Sequence, residues 1–177
     1  MLRLVQAETP EQIATIRELM LEYAHWLEFD LCFQGFEEEL RALPGKYAPP
    51  AGRLFLALWD DKVAGMGALR PLSQPGVCEM KRLYVRPEFR GHSLGKLIAQ
   101  ELIRSARECG YSHMRLDTVA GKMDSAIALY RRLGFYEVAP YYDSPMERTL
   151  YMQLDLHRSA GDGDHTASSA ADTKAKI

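Results

Sequence analysis

The chain has 177 residues, 47% of them apolar and 26% charged, with a formal net charge of −2. That length and balance suit one globular domain with a real core. So small a net charge removes any electrostatic case for nucleic acid or an anionic membrane as a partner. Cys32, Cys78 and Cys109 are odd in number and far apart, so no disulfide framework is implied and the thiols read as core residues in a reducing compartment. No apolar run reaches the ~18 to 20 residues of a membrane span, and Arg3, Glu8 and Glu11 interrupt any signal-peptide core. The expected location is cytoplasmic.

In chain order, Leu2 to Gln6 reads as a short strand. Thr9-Pro10 starts a helix, with Thr9 as N-cap and Pro10 at the first helical position. Ile13, Ile16, Met20, Tyr23 and Leu27 then recur at helical spacing and give it one buried stripe. A second helix runs from Phe36 to Leu43 and stops at Pro44-Gly45, followed by a loop to Gly52. Leu54 to Trp59 and Val63 to Leu69, separated by Asp60-Asp61-Lys62, form a β-hairpin. Val77 to Val85 is the next strand.

Helical spacing resumes at Leu94, Leu97, Ile98, Leu102 and Ala106, and Gly110 ends that helix. Met114 to Val119 is a strand. Asp124 or Ser125 caps a helix that Gly134 stops. Phe135 to Val138 and Thr149 to Leu156 make a closing strand pair. From about His157 the composition turns to Ser, Ala, Gly, Asp and Thr. The expected organisation is therefore one domain over residues 1–157 and a disordered polar tail over 158–177.

The segment from Glu79 to Leu97, EMKRLYVRPEFRGHSLGKL, carries the chemistry. Gly91-His92-Ser93-Leu94-Gly95 matches the G-x-S-x-G pattern of a serine hydrolase, in which a strand must run directly into the turn that presents the serine. Here Arg86 to Arg90 intervene between strand and turn. The later histidines are His113, at a turn-to-strand junction, and His157 and His165, at or within the tail. No HGGG-type oxyanion segment exists. The spacing from Gly91 to Gly95-Lys96 is one residue short of a Walker A loop, and no H-E-x-x-H or C-x-x-C suggests zinc. What remains is a glycine-flanked turn opening a long helix, whose unpaired N–H groups and dipole suit a pyrophosphate.

With Arg90, Ser93 and Gly95 at the positions of an Arg/Gln-x-x-Gly-x-Gly/Ala loop, the segment resembles the acetyl-CoA loop of the GNAT superfamily of N-acetyltransferases. Ser93 stands where that family usually has glycine, and its hydroxyl is a possible helix cap. A second match is Ala126-Ile127-Ala128-Leu129-Tyr130-Arg131-Arg132-Leu133-Gly134-Phe135, similar to the family's A-x-x-L-Y-x-x-x-G-F. Met123 replaces the usual Asn three residues before it. The order of elements also agrees, over nearly all of residues 1–157.

The resemblance implies an α/β (α+β) fold with a mixed, mostly antiparallel central sheet of about six to seven strands and about four helices. It implies acetyl-CoA as co-substrate without a metal, an acyltransferase activity, and a small-molecule amine such as an amino acid as acceptor, with a homodimer allowed. Tyr130 is then the acid beside the thioester sulfur. Glu79, two alternations before Leu83 on one strand, is the candidate base, with ordered water, a solvated carboxylate or a bridge to Lys81 as alternatives.

Leu83, Tyr84 and Val85 offer main-chain hydrogen bonds to the pantetheine arm. Arg90, Gly91, His92, Ser93, Leu94, Gly95 and Lys96 hold the pyrophosphate, with Arg131 and Arg132 as further phosphate partners. Lys81 and Arg82 suit an acceptor carboxylate, and Asp117 its ammonium. Tyr23, Trp26, Phe29, Phe33, Phe36, Tyr141 and Tyr142 are candidates for an aromatic acceptor wall. The competing functions are a serine esterase built on Ser93 and a non-catalytic acyl-CoA sensor.

Overall fold

The computed structural model describes residues 1–28 and 35–157. Its elements are β1 (Leu2–Gln6), α1 (Pro10–Leu27), α2 (Phe36–Ala42), β2 (Arg53–Trp59), β3 (Lys62–Pro71), β4 (Val77–Val85), α3 (Leu94–Glu108), β5 (His113–Val119), α4 (Asp124–Arg132), β6 (Tyr136–Val138) and β7 (Thr149–Asp155). The strands form one seven-stranded sheet in the order β1-β2-β3-β4-β5-β7-β6. Every pairing is antiparallel except β4 with β5. This is the expected fold class. Phe29, Phe33, Cys32 and the expected tail at 158–177 lie outside the described residues. Among the described residues no helix is long and apolar enough to cross a membrane.

Local chemistry explains most element ends. Thr9 and Gln12 form a reciprocal capping box before Pro10, satisfying donors that the first helical turn leaves unpaired. Asp60 and Asp61, at φ 47° and 62°, make the tight turn between β2 and β3. The expected cap of α4 is different: Met123 occupies the N-cap without a side-chain bond. The Asp124 carboxylate instead accepts the Gly121 N–H at 2.6 Å, so it closes the preceding turn.

Alternation along the strands feeds two cores. Leu54, Leu56, Met66 and Ala68 pack with Ile13, Ile16, Leu19 and Met20 of α1. Phe55, Ala57, Leu69, Cys78 and Met80 pack with Ile98, Leu102 and Ala106 of α3. Leu97, one of the apolar residues at helical spacing in α3, is 40% exposed; Ile103 is buried in that helix. The α3 contact is close enough that a Cβ on Gly67 would lie 2.5 Å from Ile98 Cγ2 and 3.0 Å from Leu102 Cδ1. Any larger residue there must displace the Ile98 and Leu102 side chains that seat α3 on the sheet.

Two irregularities open the middle of this sheet. β4 and β5 pair only over Val77–Glu79 and His113–Arg115, although both strands continue well beyond. The register of β4 against β3 also slips by one residue, between the pairs Ala68–Lys81 and Met66–Tyr84. Arg82, at φ 57°, takes up the extra residue as a β-bulge, which bends the strand and raises its twist. Beyond the bulge the faces exchange. Cys78, Met80, Leu83 and Val85 all face the α3 core, whereas Tyr84 belongs to the α1 core.

Candidate active site

The N-terminus of α3 abuts the gap between the diverging strands. Gly91 sits at φ 87°, a conformation that favours glycine. Ser93 follows at φ 59° and makes no side-chain bond to the helix, so the expected hydroxyl cap is absent. The left-handed turn is what this position requires, which explains why a small residue stands here. The first N–H groups of α3 are thereby left without a side-chain cap, facing the place where an anion would sit. Built Cβ atoms on Gly91 and Gly95 meet nothing within 4 Å, so the loop encloses open space.

A cavity of about 280 Å³ lies along this loop, lined among others by Leu83, Tyr84, Val85, Arg90, Ser93 and Tyr130. Gly91, Leu94 and Gly95 complete the loop side, and Met123, Ser125, Ala126 and Leu129 the α4 side. Two expected cofactor residues are not on it. The exposed His92 ring stacks on Trp59, with centroids 5.1 Å apart, because the turn points it away from the gap. Lys96 is exposed on α3 and does not line the cavity. Nor do the other suggested phosphate partners: Arg131 pairs with Glu137 at 2.6 Å, and Arg132 is exposed.

Trp26, expected on the acceptor side, lines the cofactor cavity instead. The Arg90 guanidinium lies 4.9 Å and the Lys122 ammonium 5.4 Å from its ring centroids, an arrangement favoured by the ring quadrupole. Lys122 escaped the sequence reading because it lies in a turn without a motif, and Ser125, read there as a candidate cap of α4, lines the cavity from the first turn of that helix.

A second, smaller cavity of about 40 Å³ occupies the gap itself. Leu83, Met123 and Tyr130 line both cavities, so Tyr130 stands where they meet. The smaller one is completed by Tyr23, Met80, Lys81, Arg82, Leu116, Asp117 and Thr118. Leu83, Leu116 and Tyr130 belong to the α3-side core, while Tyr23 belongs to the α1-side core. The small cavity therefore passes through the sheet. Tyr130 is 6% exposed and packs on Phe135 with ring centroids 5.7 Å apart. Burial raises its phenol pKa well above the usual value, with Tyr23 and Asp117 adding to the effect.

Glu79 is placed differently from the expectation. The bulge at Arg82 puts it on the opposite face from Leu83, and it lines neither cavity. It is 1% exposed. Its Oε2 accepts Arg70 Nε at 2.8 Å and its Oε1 accepts the Tyr141 hydroxyl at 2.9 Å. Both oxygens of this carboxylate are therefore engaged by neighbouring side chains. Its ion-pair partner is Arg70 of β3, the neighbour directly opposite across the ladder.

The two cations of the expected carboxylate site both line the small cavity, but the charge of one is committed to α2. Arg82 is 6% exposed and is closed by Glu39 of α2, with bonds of 3.0 and 2.6 Å. The Phe36 ring lies 5.2 Å from its guanidinium carbon, and the Tyr47 hydroxyl donates to Glu39 at 2.5 Å. Its charge is consumed in tying α2 to β4. Lys81 remains at the cavity, 7% exposed, its pKa lowered by burial against the pull of Glu79. Asp117 faces it from β5 and accepts the Tyr142 hydroxyl at 3.0 Å.

Tyr141, Tyr142 and Tyr151 stand edge to face with one another, with centroids 5.2–5.6 Å apart. The loop between β6 and β7 is thus braced to both diverging strands. Thr118 is 4% exposed, and among the described residues its hydroxyl has no hydrogen-bond partner.

Among the described residues nothing completes a hydrolase around Ser93. His92 is turned onto Trp59. His113 belongs to the far end of β5, where its Nδ1 lies 2.8 Å from Ser112 Oγ.

A splayed strand pair, a helix N-terminus open beside it and a buried tyrosine at the junction of two cavities agree with the acyltransferase class that the comparisons with known proteins establish. The chain belongs to the acetyltransferase (GNAT) family, whose model matches residues 14–135. It is 39% identical over 150 residues to an uncharacterized N-acetyltransferase of Schizosaccharomyces pombe, covering 84% of this chain and 91% of that protein. Over 117 residues it is 30% identical to the N-acetylaspartate synthetase of Mus musculus, covering 62% of this chain and 39% of that protein. A GNAT-family acetyltransferase from Staphylococcus aureus superposes with a TM-score of 0.72 at 18% identity, over 88% of this chain and 99% of that one. An acetyltransferase from Salmonella typhimurium, solved with its cofactor acetyl-CoA, gives 0.62 at 22% identity over 97% and 99%. These two likenesses establish the fold.

Proposed function

We propose that the protein transfers the acetyl group of acetyl-CoA to the primary amine of a small molecule, an amino acid or a related metabolite. The observation that carries this reading is the meeting of two cavities at Tyr130. One is bordered by the open N-terminus of α3 and the other by charged side chains.

Acetyl-CoA, when bound, supplies a thioester whose carbonyl carbon accepts the amine and whose sulfur leaves. The residues present fit it. The uncapped N–H groups of α3 and the open space at Gly91 and Gly95 would hold the pyrophosphate. Beyond Glu79 the edge of β4 facing β5 has no ladder partner, so the main chain of Leu83, Tyr84 and Val85 can pair with the pantetheine arm as with an added strand. Arg90 and Lys122 bring positive charge to the rim. Tyr130, like any phenol, keeps its proton at physiological pH, and burial only reinforces this; its hydroxyl donates to the sulfur as negative charge develops there.

On the acceptor side Lys81 suits a carboxylate and Asp117 an ammonium, the two charges of an amino acid. The similarity to a protein named N-acetylaspartate synthetase favours an acceptor of that class.

The test is a panel of amines incubated with acetyl-CoA and followed by release of free thiol. It would hold L-aspartate and the other α-amino acids, their amides, polyamines, and peptides with free N-termini or lysines. Carboxylate-bearing amines should react fastest. Acetyl-CoA binding without thiol release from any amine would favour a sensor. Ester hydrolysis that needs no acetyl-CoA would favour a serine esterase.

A further inference from the structure

We propose that Asp117, rather than Glu79, is the general base of the acetyl transfer; this rests on the acetyltransferase reading above. The first ground is position. Among the described residues that line the two cavities meeting at Tyr130, Asp117 is the single carboxylate. Glu79 lines neither, and both its oxygens are taken by Arg70 and Tyr141.

The second ground is elimination among the groups that face Asp117. These are Lys81 of β4, Tyr23 of α1, Tyr130 of α4, Tyr141 and Tyr142 of the β6–β7 loop, and Tyr151 of β7. Burial raises the pKa of Tyr23, Tyr130, Tyr141 and Tyr151, so these phenols keep their protons near neutral pH and cannot accept another. Burial lowers the pKa of Lys81 while the Glu79 and Asp117 carboxylates favour its charge, and the acetyltransferase reading assigns it to the acceptor carboxylate. Asp117 is left as the group that can receive a proton from an ammonium lying between β4 and β5.

The third ground is local geometry. Tyr142 donates to Asp117 Oδ2, which fixes the carboxylate plane and leaves Oδ1 toward other partners. The adjacent Thr118 presents its buried, unpartnered hydroxyl from the opposite face of β5. Both residues line the cavity that crosses the sheet. An amine placed there can contact Asp117 on the acceptor side while the Thr118 hydroxyl holds its orientation.

The proton balance follows. Asp117 takes one proton from the bound ammonium, and the freed nitrogen lone pair forms the N–C bond as the C–S bond breaks. The C–S electron pair goes to sulfur, which takes the Tyr130 phenolic proton. Tyr130 is restored by the second proton lost from nitrogen, and Asp117 releases its own to solvent. The sum is one amide, one thiol and one proton per ammonium consumed.

The experiment compares wild type, Asp117→Asn, Asp117→Glu and Glu79→Gln using the fastest amine of the panel. Thermal unfolding and calorimetric binding of acetyl-CoA accompany the kinetics. Asp117→Asn should lower kcat about 100-fold at pH 7. Its residual rate should climb about tenfold per pH unit toward the amine pKa, as free amine replaces the missing base. The wild-type rate should instead hold a plateau.

Acetyl-CoA affinity should stay within about twofold of wild type, and Asp117→Glu should recover the plateau at a reduced rate. A fall of less than threefold in Asp117→Asn overturns the proposal. So does a larger fall with the wild-type pH profile, and so does the steep profile appearing in Glu79→Gln instead. Were Asp117→Asn to misfold, Asp117→Glu decides alone: loss of its plateau overturns the assignment. A wild-type protein inert toward every amine would sink the acetyltransferase reading itself, a different outcome from any of these.

Discussion

The proposed cofactor groove and the proposed acceptor face lie on either side of the same gap between β4 and β5, yet they are built on opposite principles. The groove is made of backbone: a left-handed turn at Gly91 and Ser93, an uncapped helix end and an unpaired strand edge. Few of its side chains need to be anything but small or apolar. The acceptor face is made of charged and phenolic side chains drawn from distant parts of the chain: Arg70, Glu79, Lys81, Arg82 and Asp117 from three strands, Glu39 from α2, Tyr23 from α1 and two tyrosines from the β6–β7 loop. Backbone recognition suits a ligand part that never varies, whereas charged side chains can be re-paired to suit a different amine. Donor and acceptor recognition can therefore change independently, and substitutions can show whether they do.

The largest effect belongs to the residue shared by both regions. Tyr130→Phe keeps the ring that packs on Phe135 and removes only the hydroxyl, so stability should hardly move. Its kcat should fall by about 10²–10⁴, the span of general-acid contributions, with little change in KM for either substrate. Steady-state kinetics on both substrates checks it. A selective rise in one KM would place Tyr130 in that substrate's site alone and break the symmetry of the comparison.

A smaller and one-sided effect is expected at Lys81. Lys81→Met removes the charge but keeps most of the volume in the buried site. A hydrogen bond to a charged group contributes about 1.5–3 kcal/mol, so KM for a carboxylate-bearing amine should rise about 10- to 150-fold. KM for acetyl-CoA should stay unchanged. Amides of the same amino acids should lose far less, because they offer no carboxylate. Equal losses with acids and amides would mean that Lys81 shapes the face without reading the acceptor.

The acceptor face should also be the region sensitive to alkali. Burial pushes the Tyr23 phenol up to about 12 and raises those of Tyr130 and Tyr141. In the unfolded chain a phenol ionises near ~10. The folded-state pKa is the raised one, so the stabilisation is complete below about 10 and is lost as pH climbs from there toward 12. Denaturant midpoints at pH 9, 10 and 11 should fall progressively, and Tyr23→Phe should flatten the fall.

The same division decided what could be read from sequence. Thr9-Pro10, Asp60-Asp61, Gly91 and Gly110 announce their conformations through local chemistry, so the elements and the cofactor loop were legible without a fold. The bulge at Arg82 was not, because arginine carries no sign of a positive φ; its slip of one residue reversed the inferred facing of Glu79 relative to Leu83. Partners from afar were equally hidden. Tyr141 reaches Glu79 across 62 positions and Glu39 reaches Arg82 across 43, and no periodicity encodes such meetings. Lys81 and Arg82, adjacent in sequence, therefore looked like one anion site, while the fold spends Arg82 on α2.

The smallest effect tests the most literal motif in the chain. Ser93 lies in a left-handed turn, its hydroxyl makes no bond to the helix it precedes, and His92 is turned away onto Trp59. Its hydroxyl has nothing to do in the groove, so Ser93→Ala should leave acetyl transfer within about threefold of wild type. Ser93→Gly should do at least as well. Relief of the left-handed strain, ~1–2 kcal/mol, is offset in part by the ~0.5–1 kcal/mol entropy cost of glycine, so the melting temperature should hold or rise slightly. If the groove is a backbone site, the two variants will differ in stability and hardly at all in KM for acetyl-CoA. A large activity loss in Ser93→Ala alone would show that the hydroxyl has a role of its own, and the contrast between a backbone groove and a side-chain acceptor face would fail at its simplest point.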